Sequence, residues 1–238
     1  MRNMPAVLRR IMLYAALCVF LCSGASAASV FSPSSEEAAA RQALLLFCRC
    51  AFHPEYAQEE EGRLIRWEQN EITLWVGGAP TREDLRCVDA FVEELREKVD
   101  GLPEIRRVRQ DSQAAIRVWY VPHYMMKYYV EGYVEGNWGF FHLEYPRYRI
   151  VSARIAIATD ETTQEERNHL FLEELTGALG LPGDHLLYAD SILYDPWTVV
   201  QSLSEVDWRM LNLLYNPRLI PGMTEQEARE ILKAEMGI

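Results

Sequence analysis

The residues of this chain that could carry chemistry are concentrated at 173–181, which read EELTGALGL, and just beyond. Glu173 and Glu174 are adjacent acids within a pattern of apolar spacing that predicts a helix. Asp184 and His185 follow a few residues later. Carboxylates and imidazoles gathered in this way can bind a metal ion or act as general bases.

The spacing around these residues resembles that of the secreted zinc peptidases called metzincins. Their motif is H-E-x-x-H-x-x-G-x-x-H, followed by a tight turn that carries Met and by a closing helix. In this chain the Glu of the motif falls on Glu174 and the helix-ending Gly on Gly180. The turn falls on 191–194, with Leu193 where Met is expected, and the closing helix falls on 207–215.

The zinc ligands of that motif are missing. The three histidine positions hold Glu173, Gly177 and Gly183. Because two of these residues have no side chain, the sequence excludes a tris-His zinc site there and predicts no cofactor.

An altered site is the alternative. Glu173, Asp184 and His185 are the candidate binding residues, and Glu174 is the candidate catalytic base. The resemblance implies that Glu174 would activate a metal-bound water.

Residues 64–223 also resemble DUF family 2927, a family of exported bacterial proteins. The resemblance rests on EELTxALGL at 173–181, on Asp184, on DSI at 190–192 and on LYNPRLIPGM at 214–223. The family pattern has Gln where this chain has Gly177 and Asn where it has Gly183. The resemblance implies export and a metzincin-like fold, but no established activity.

An ordinary amphipathic helix with a glycine stop would give the same pattern at 173–181. In that interpretation Glu173 and Glu174 are solvated, and Gly177 lets another element pack closely. A mid-helix glycine destabilises a helix by about 1 kcal/mol relative to alanine, so a packing reason is expected.

The N-terminus reads as a secretory signal peptide, residues 1–27. Arg9 and Arg10 precede an apolar run at 11–22, which is too short to span a bilayer, and A-S-A at 25–27 predicts cleavage after Ala27. An uncleaved anchor is the alternative. The sequence therefore predicts a secreted, periplasmic or cell-envelope protein with no membrane span after cleavage.

The net charge of the chain limits the kinds of partner that it can bind. The net charge is −11, and the loss of the three arginines before Ala28 takes it to about −14. So acidic a chain is a poor partner for nucleic acid or anionic lipid. The predicted partner is an envelope protein, a peptide or a glycan.

Three cysteines remain after the signal: Cys48, Cys50 and Cys87. Outside the cytoplasm a disulfide from Cys48 or Cys50 to Cys87 is expected. Free buried thiols are the alternative, and a metal site lacks a further ligand at finger-like spacing.

The elements that would position these groups follow from periodicity and caps. Helices are predicted near 35–52, 81–99, 162–179, 203–215 and 224–236. Strands are predicted near 64–67, 72–76, 115–121, 137–144 and 150–157. This order predicts an α+β fold, a metzincin-like mixed sheet with packed helices and a helical C-terminal subdomain.

The predicted organisation has three parts after the signal. They are an N-terminal helix with an acidic connection (28–62), a metzincin-like domain (63–223) and a C-terminal helix (224–238). Between 124 and 148 the chain is dense in aromatic residues, which either line a groove for peptide or glycan or pack the sheet.

Three functions follow as hypotheses. The first is a non-catalytic exported protein that binds or scaffolds in the envelope. The second is a metal-dependent peptidase or amidase with the altered ligand set and Glu174 as base. The third is a structural envelope protein that uses the aromatic segment, including Tyr128 and Tyr129, to pair with a partner.

Overall fold

The structure, a computed structural model, describes residues 35–54 and 62–238. The predicted signal peptide and most of the acidic connection lie outside the described residues. Within the described residues there are five α-helices: α1 Ser35–Phe52, α2 Arg82–Lys98, α3 Gln164–Ala178, α4 Glu205–Leu214 and α5 Glu225–Met236. Seven strands accompany them: β1 Arg66–Trp67, β2 Glu71–Gly78, β3 Glu104–Arg107, β4 Ile116–Val121, β5 Gly139–Glu144, β6 Arg149–Ile150 and β7 Ser152–Ala158.

The main sheet has five strands in the order β3-β2-β4-β7-β5. The first four are parallel, and β5 runs antiparallel to β7 at one edge. A separate two-residue parallel pair joins β1 to β6. The predicted α+β class, with a mixed sheet and packed helices, is therefore confirmed.

Helices cover one face of this sheet. α3 packs on β5 and β7 and contacts α2, while α1 packs against α4 and α5. All five helices contribute side chains to one large apolar core. The proposed division at 62 and 223 stays a prediction, although the first and last helices share that core.

The aromatic segment covers the opposite face. Met126 and Val130 pack there against Val121, Phe140 and the alanines of β7, with Trp119, Tyr129 and Tyr133 around them. Tyr124 and Tyr128 instead point outward, with 69% and 71% of their surface exposed. Most of the segment is thus packing, and two tyrosines remain on the surface.

Local sequence explains where four of the helices begin. Each starts with a capping box, in which a hydroxyl accepts from a backbone N–H three residues on and an acid returns the bond. The pairs are Thr81 with Asp84, Thr163 with Glu166, Ser204 with Asp207, and Thr224 with Glu227. The helices predicted near 203–215 and 224–236 are thus confirmed, with N-caps at Ser204 and Thr224.

The sequence predicts no strand at β3, and the reason lies in its composition. Its four residues, EIRR, bury only Ile105. Arg106 instead forms a two-pronged ion pair with Glu71 on β2. An edge strand held in this way has no apolar alternation to reveal it.

The expected disulfide is wrong, because Cys48, Cys50 and Cys87 are all free thiols. Cys48 and Cys50 lie on α1 among α4 and α5, whereas Cys87 lies on α2, which packs with α3 and β3. Burial raises the pKa of Cys48 to about 11 and that of Cys87 to about 12, and it also raises the pKa of Cys50. These thiols are therefore protonated and unreactive at neutral pH.

Among the helices of residues 35–54 and 62–238, none combines the length and the apolar character needed to cross a bilayer.

A buried ion pair joins the N-terminal ends of α2 and α3. Asp84 is fully buried and accepts from Nε of Arg167 at 3.2 Å, from Nε2 of Gln164 at 2.6 Å and from the backbone N–H of Thr81 at 2.7 Å. The carboxylate thus closes the α2 cap and fixes α3 beside α2.

Replacing Asp84 by Ala should lower the free energy of unfolding by about 3–5 kcal/mol, because Arg167 would remain buried without its counter-charge. Urea denaturation measures the loss. The matched control is Asp89→Ala, which removes an exposed partner of Arg107 and should change stability by about 1 kcal/mol or less. Equal effects of the two substitutions would contradict the role given to Asp84.

Candidate functional site

The predicted site lies where β5 crosses α3. A Cβ built on Gly177 would stand 2.6 Å from Cε1 of Phe141, so the ring of Phe141 fills the space that a side chain at 177 would need. This contact is the packing reason expected for a glycine inside the helix, and that prediction is confirmed. The space beside α3 at position 177 is therefore occupied by a phenylalanine from the strand.

The candidate base, Glu174, is buried at the same crossing by its contact with Gly139 on β5. A Cβ on Gly139 would lie 2.4 Å from Oε1 of Glu174, so the carboxylate sits directly against the β5 backbone. Only 9% of Glu174 is exposed. The expectation of a solvated Glu174, which the ordinary-helix interpretation carried, is wrong.

The third ligand position faces another part of the chain. A Cβ on Gly183 would meet the carbonyl oxygen of His53 at 2.3 Å, and the backbone N–H of Gly183 donates to the carbonyl of Cys50 at 2.9 Å. Gly183 thus presses against the C-terminal end of α1. A histidine at this position has no room to turn toward α3.

Glu173 lies beside His169, as their spacing predicts. Nε2 of His169 is 3.5 Å from the Glu173 carboxylate, and Nδ1 donates to the carbonyl of Val200 at 3.0 Å. Burial lowers the pKa of His169, and the Val200 hydrogen bond acts in the opposite direction.

An aromatic residue covers this contact. The indole of Trp197 packs edge-on against His169 and against Trp138, with ring centroids 5.6 Å and 5.4 Å away. Trp197 is 52% exposed and belongs to the irregular segment before α4. It bridges the start of β5 to the middle of α3 and closes that end of the crossing.

His185 makes a different set of contacts. It is buried, and its Nε2 lies 3.0 Å from Oγ of Ser191, while its Nδ1 accepts from the backbone N–H of Leu187 at 3.3 Å. Ser191 in turn donates to Oδ1 of Asp207 at 2.5 Å. Both ring nitrogens of His185 are thus engaged within this network.

Asp184 completes the predicted set and is half-buried; its backbone carbonyl accepts from Nε of Arg49 at 3.0 Å. In the described part of the chain, no three His, Cys, Asp or Glu side chains come together as a metal site. Glu173 and Glu174 sit at the β5–α3 crossing, whereas the bonds of His185 run to the turn and to α4.

Sequence reasoning missed the roles of Ser191, Asp207 and Trp197. In the sequence, Ser191 stands only in the DSI signature and at the start of the predicted turn, and Asp207 stands only at the start of the predicted closing helix. The available signal was the cap itself, because Ser204-x-x-Asp207 places a carboxylate at a helix N-terminus. Nothing local indicates that this carboxylate also reaches Ser191.

Together, the mixed sheet, the antiparallel edge strand and the helix beneath it define an α+β domain. The chain belongs to the family DUF2927, described as a protein of unknown function, whose model matches residues 40–234.

Two solved structures of myroilysin are similar to this chain, each at 13% sequence identity. One match covers 66% of this chain and 100% of that chain with a TM-score of 0.41. The other covers 70% of this chain and 89% of that chain with a TM-score of 0.42. No curated protein matches this chain.

Introducing the missing ligand should destabilise the protein rather than create a site. Gly177→His should lower the free energy of unfolding by about 1–3 kcal/mol, because the imidazole must displace the Phe141 ring. Guanidinium denaturation measures the change. Glu165→His, on an exposed position of the same helix, is the control and should stay within about 0.5 kcal/mol.

The double variant Gly177→His, Phe141→Ala separates crowding from other causes. It should be more stable than the sum of the single effects predicts, by at least about 0.5 kcal/mol. Strict additivity would show that Phe141 is not what excludes a side chain at position 177.

Proposed function

We propose that this protein is an exported, non-catalytic binding protein of the cell envelope, built on a metzincin-like scaffold without a zinc site. The packing at positions 177 and 183 carries the proposal. The ring of Phe141 occupies the space that a side chain at position 177 would need, and the carbonyl of His53 blocks a side chain at position 183. The site is therefore filled by packing as well as stripped of ligands.

The contacts of His185 support the same conclusion. A metal ligand needs a free nitrogen lone pair, and the Nδ1 lone pair of His185 accepts from Leu187 while Nε2 bonds Ser191. Recruiting His185 to a metal would break one of these bonds inside the core.

The ligand that best fits the outer edge of β5 is an extended peptide of the cell envelope. β5 ends the sheet, and no strand within residues 35–54 and 62–238 pairs with its outer edge. Extended peptides add to such edges through backbone hydrogen bonds. The exposed ring of Trp197 beside the start of β5 supplies an apolar contact next to that edge. A glycan on the same ring is the alternative ligand class.

Metal analysis tests the non-catalytic assignment. The exported form, purified without chelator, should retain no zinc, and added zinc should leave Tm unchanged. About one zinc per chain, lost in Glu173→Ala, would overturn the proposal.

Hydrolysis of peptides or amides that Glu174→Gln abolishes would establish the second hypothesis, a metal-dependent peptidase or amidase. Glu165→Gln, a neutral-for-acid change on an exposed position of α3, is the matched control for that variant.

Export has its own test. Mass spectrometry of the protein isolated from a bacterial host should give an N-terminus at Ala28, because A-S-A at 25–27 fits signal peptidase. Ala27→Arg should block processing, since the enzyme needs a small residue before the cut. A full-length chain in the soluble cytoplasmic fraction would contradict export.

A further inference from the structure

The loop at residues 184–195, here the His185 loop, is closed by bonds at both ends. His185 and Tyr194 form a β-bridge, the His185 N–H donates to the carbonyl of Leu193 at 3.0 Å, and the Asp195 N–H donates to the carbonyl of His185 at 2.9 Å. At its tip Leu186 and Leu187 are exposed, whereas Ile192 and Leu193 are buried. The side chain of His185 lies inside this closure.

The hydrogen bonds fix the tautomer of His185. Nδ1 faces the Leu187 N–H, which can only donate, so Nδ1 carries no proton. The ring proton is therefore on Nε2 and is donated to Oγ of Ser191. Because Oγ also accepts from the Leu193 N–H at 3.1 Å, the serine proton goes to Asp207.

Asp207 accepts the last hydrogen bond of the chain that runs from His185 through Ser191. Its Oδ2 accepts from the Ile192 N–H at 3.0 Å, from the Ser204 N–H at 2.8 Å and from the Ser204 hydroxyl at 2.8 Å. With Ser191 on Oδ1, four donors face a carboxylate that donates nothing. The hydrogen bonds thus assign each proton of the His185, Ser191 and Asp207 network to one donor and one acceptor.

A second proton on His185 has no acceptor. It would enter at Nδ1 and face the Leu187 N–H, so that two donors meet at 3.3 Å and their hydrogen bond is lost. It would also place a positive charge on a buried ring. Release of the ring into water removes both penalties, and it breaks the hydrogen bonds of the ring with Ser191 and Leu187.

The charges around His185 act in both directions. Burial is the main influence and lowers its pKa; Asp207 on α4 and Asp190 in the loop raise it, and Arg49 on α1 lowers it. The rings of Tyr188 and Tyr194 also lie near His185, with ring centroids 6.2 Å and 6.5 Å away.

The lowered pKa of His185 determines how the stability of the closed loop changes with pH. The released ring titrates near its ordinary value of about 6.5, and the enclosed ring titrates lower. The closed loop is therefore fully favoured above pH 6.5 or so. It loses stability as the pH falls below that value, because the open form then binds the extra proton.

We propose that the His185 loop is a pH-sensitive element that is closed at neutral pH and opens when His185 takes up a second proton. Opening would take the ring of His185 away from Ser191 and expose it to water. The inference does not depend on whether the protein is catalytic.

Amide exchange by NMR on the exported form tests this directly, from about pH 5 to about pH 7.5. After correction for intrinsic rates, the protection of the Leu187 and Leu193 amides should fall by up to about tenfold per pH unit below about 6.5. His185→Gln keeps a donor for Ser191 but does not titrate, so its profile should be flat. His169→Gln removes the other buried histidine with a lowered pKa and should retain the profile of the unchanged protein.

Two further readouts keep the result decisive. The His185 ring should titrate below about pH 6.5, in step with the Leu187 amide. The Val118 amide in β4 should keep its protection throughout. A flat profile in the unchanged protein, an unaltered slope in His185→Gln, or parallel loss at Val118 would overturn the proposal, since the last indicates global acid unfolding.

Discussion

The close approach of β5 to α3 is the contact on which the rest of the candidate site depends. Gly177 on the helix and Gly139 on the strand leave room for it, and a side chain at either position would collide with Phe141 or with Glu174. A glycine inside α3 is unfavourable by about 1 kcal/mol, and burial of an aromatic side chain is worth more than that. The packing of Phe141 at the crossing therefore outweighs the cost of a glycine inside α3.

The sequence indicates those elements whose signals are local. Capping boxes and apolar spacing place α3, α4 and α5 within a few residues of their observed ends, because hydroxyl, acid and apolar stripe lie within one or two turns. The sequence does not predict β3, because this strand is stabilised by an ion pair with Glu71 on another strand. The disulfide expectation fails for a related reason: spacing along the chain does not show which helices share a layer.

For the site, residue types were predictable and roles were not. Glu174 stands where the resemblance puts the general base, and His185 belongs to the altered ligand set. Glu174 nevertheless lies against a strand backbone, and His185 bonds a serine six residues away. Hydrogen bonds that link a loop to a helix 16 residues further on, as Ser191 does with Asp207, leave no periodic trace in the sequence. Such pairs are visible only after folding.

The same network holds the backbone of the turn at 191–194. Leu193 is buried there, and the backbone around it is held by Ser191 and Asp207. A buried carboxylate is tolerated only when donors surround it, and Asp207 has four. Because Ser191 bonds both Asp207 and His185, the imidazole helps to hold this turn. Protonation of the imidazole therefore weakens the contacts that hold the turn, and this is the physical basis of the response to pH.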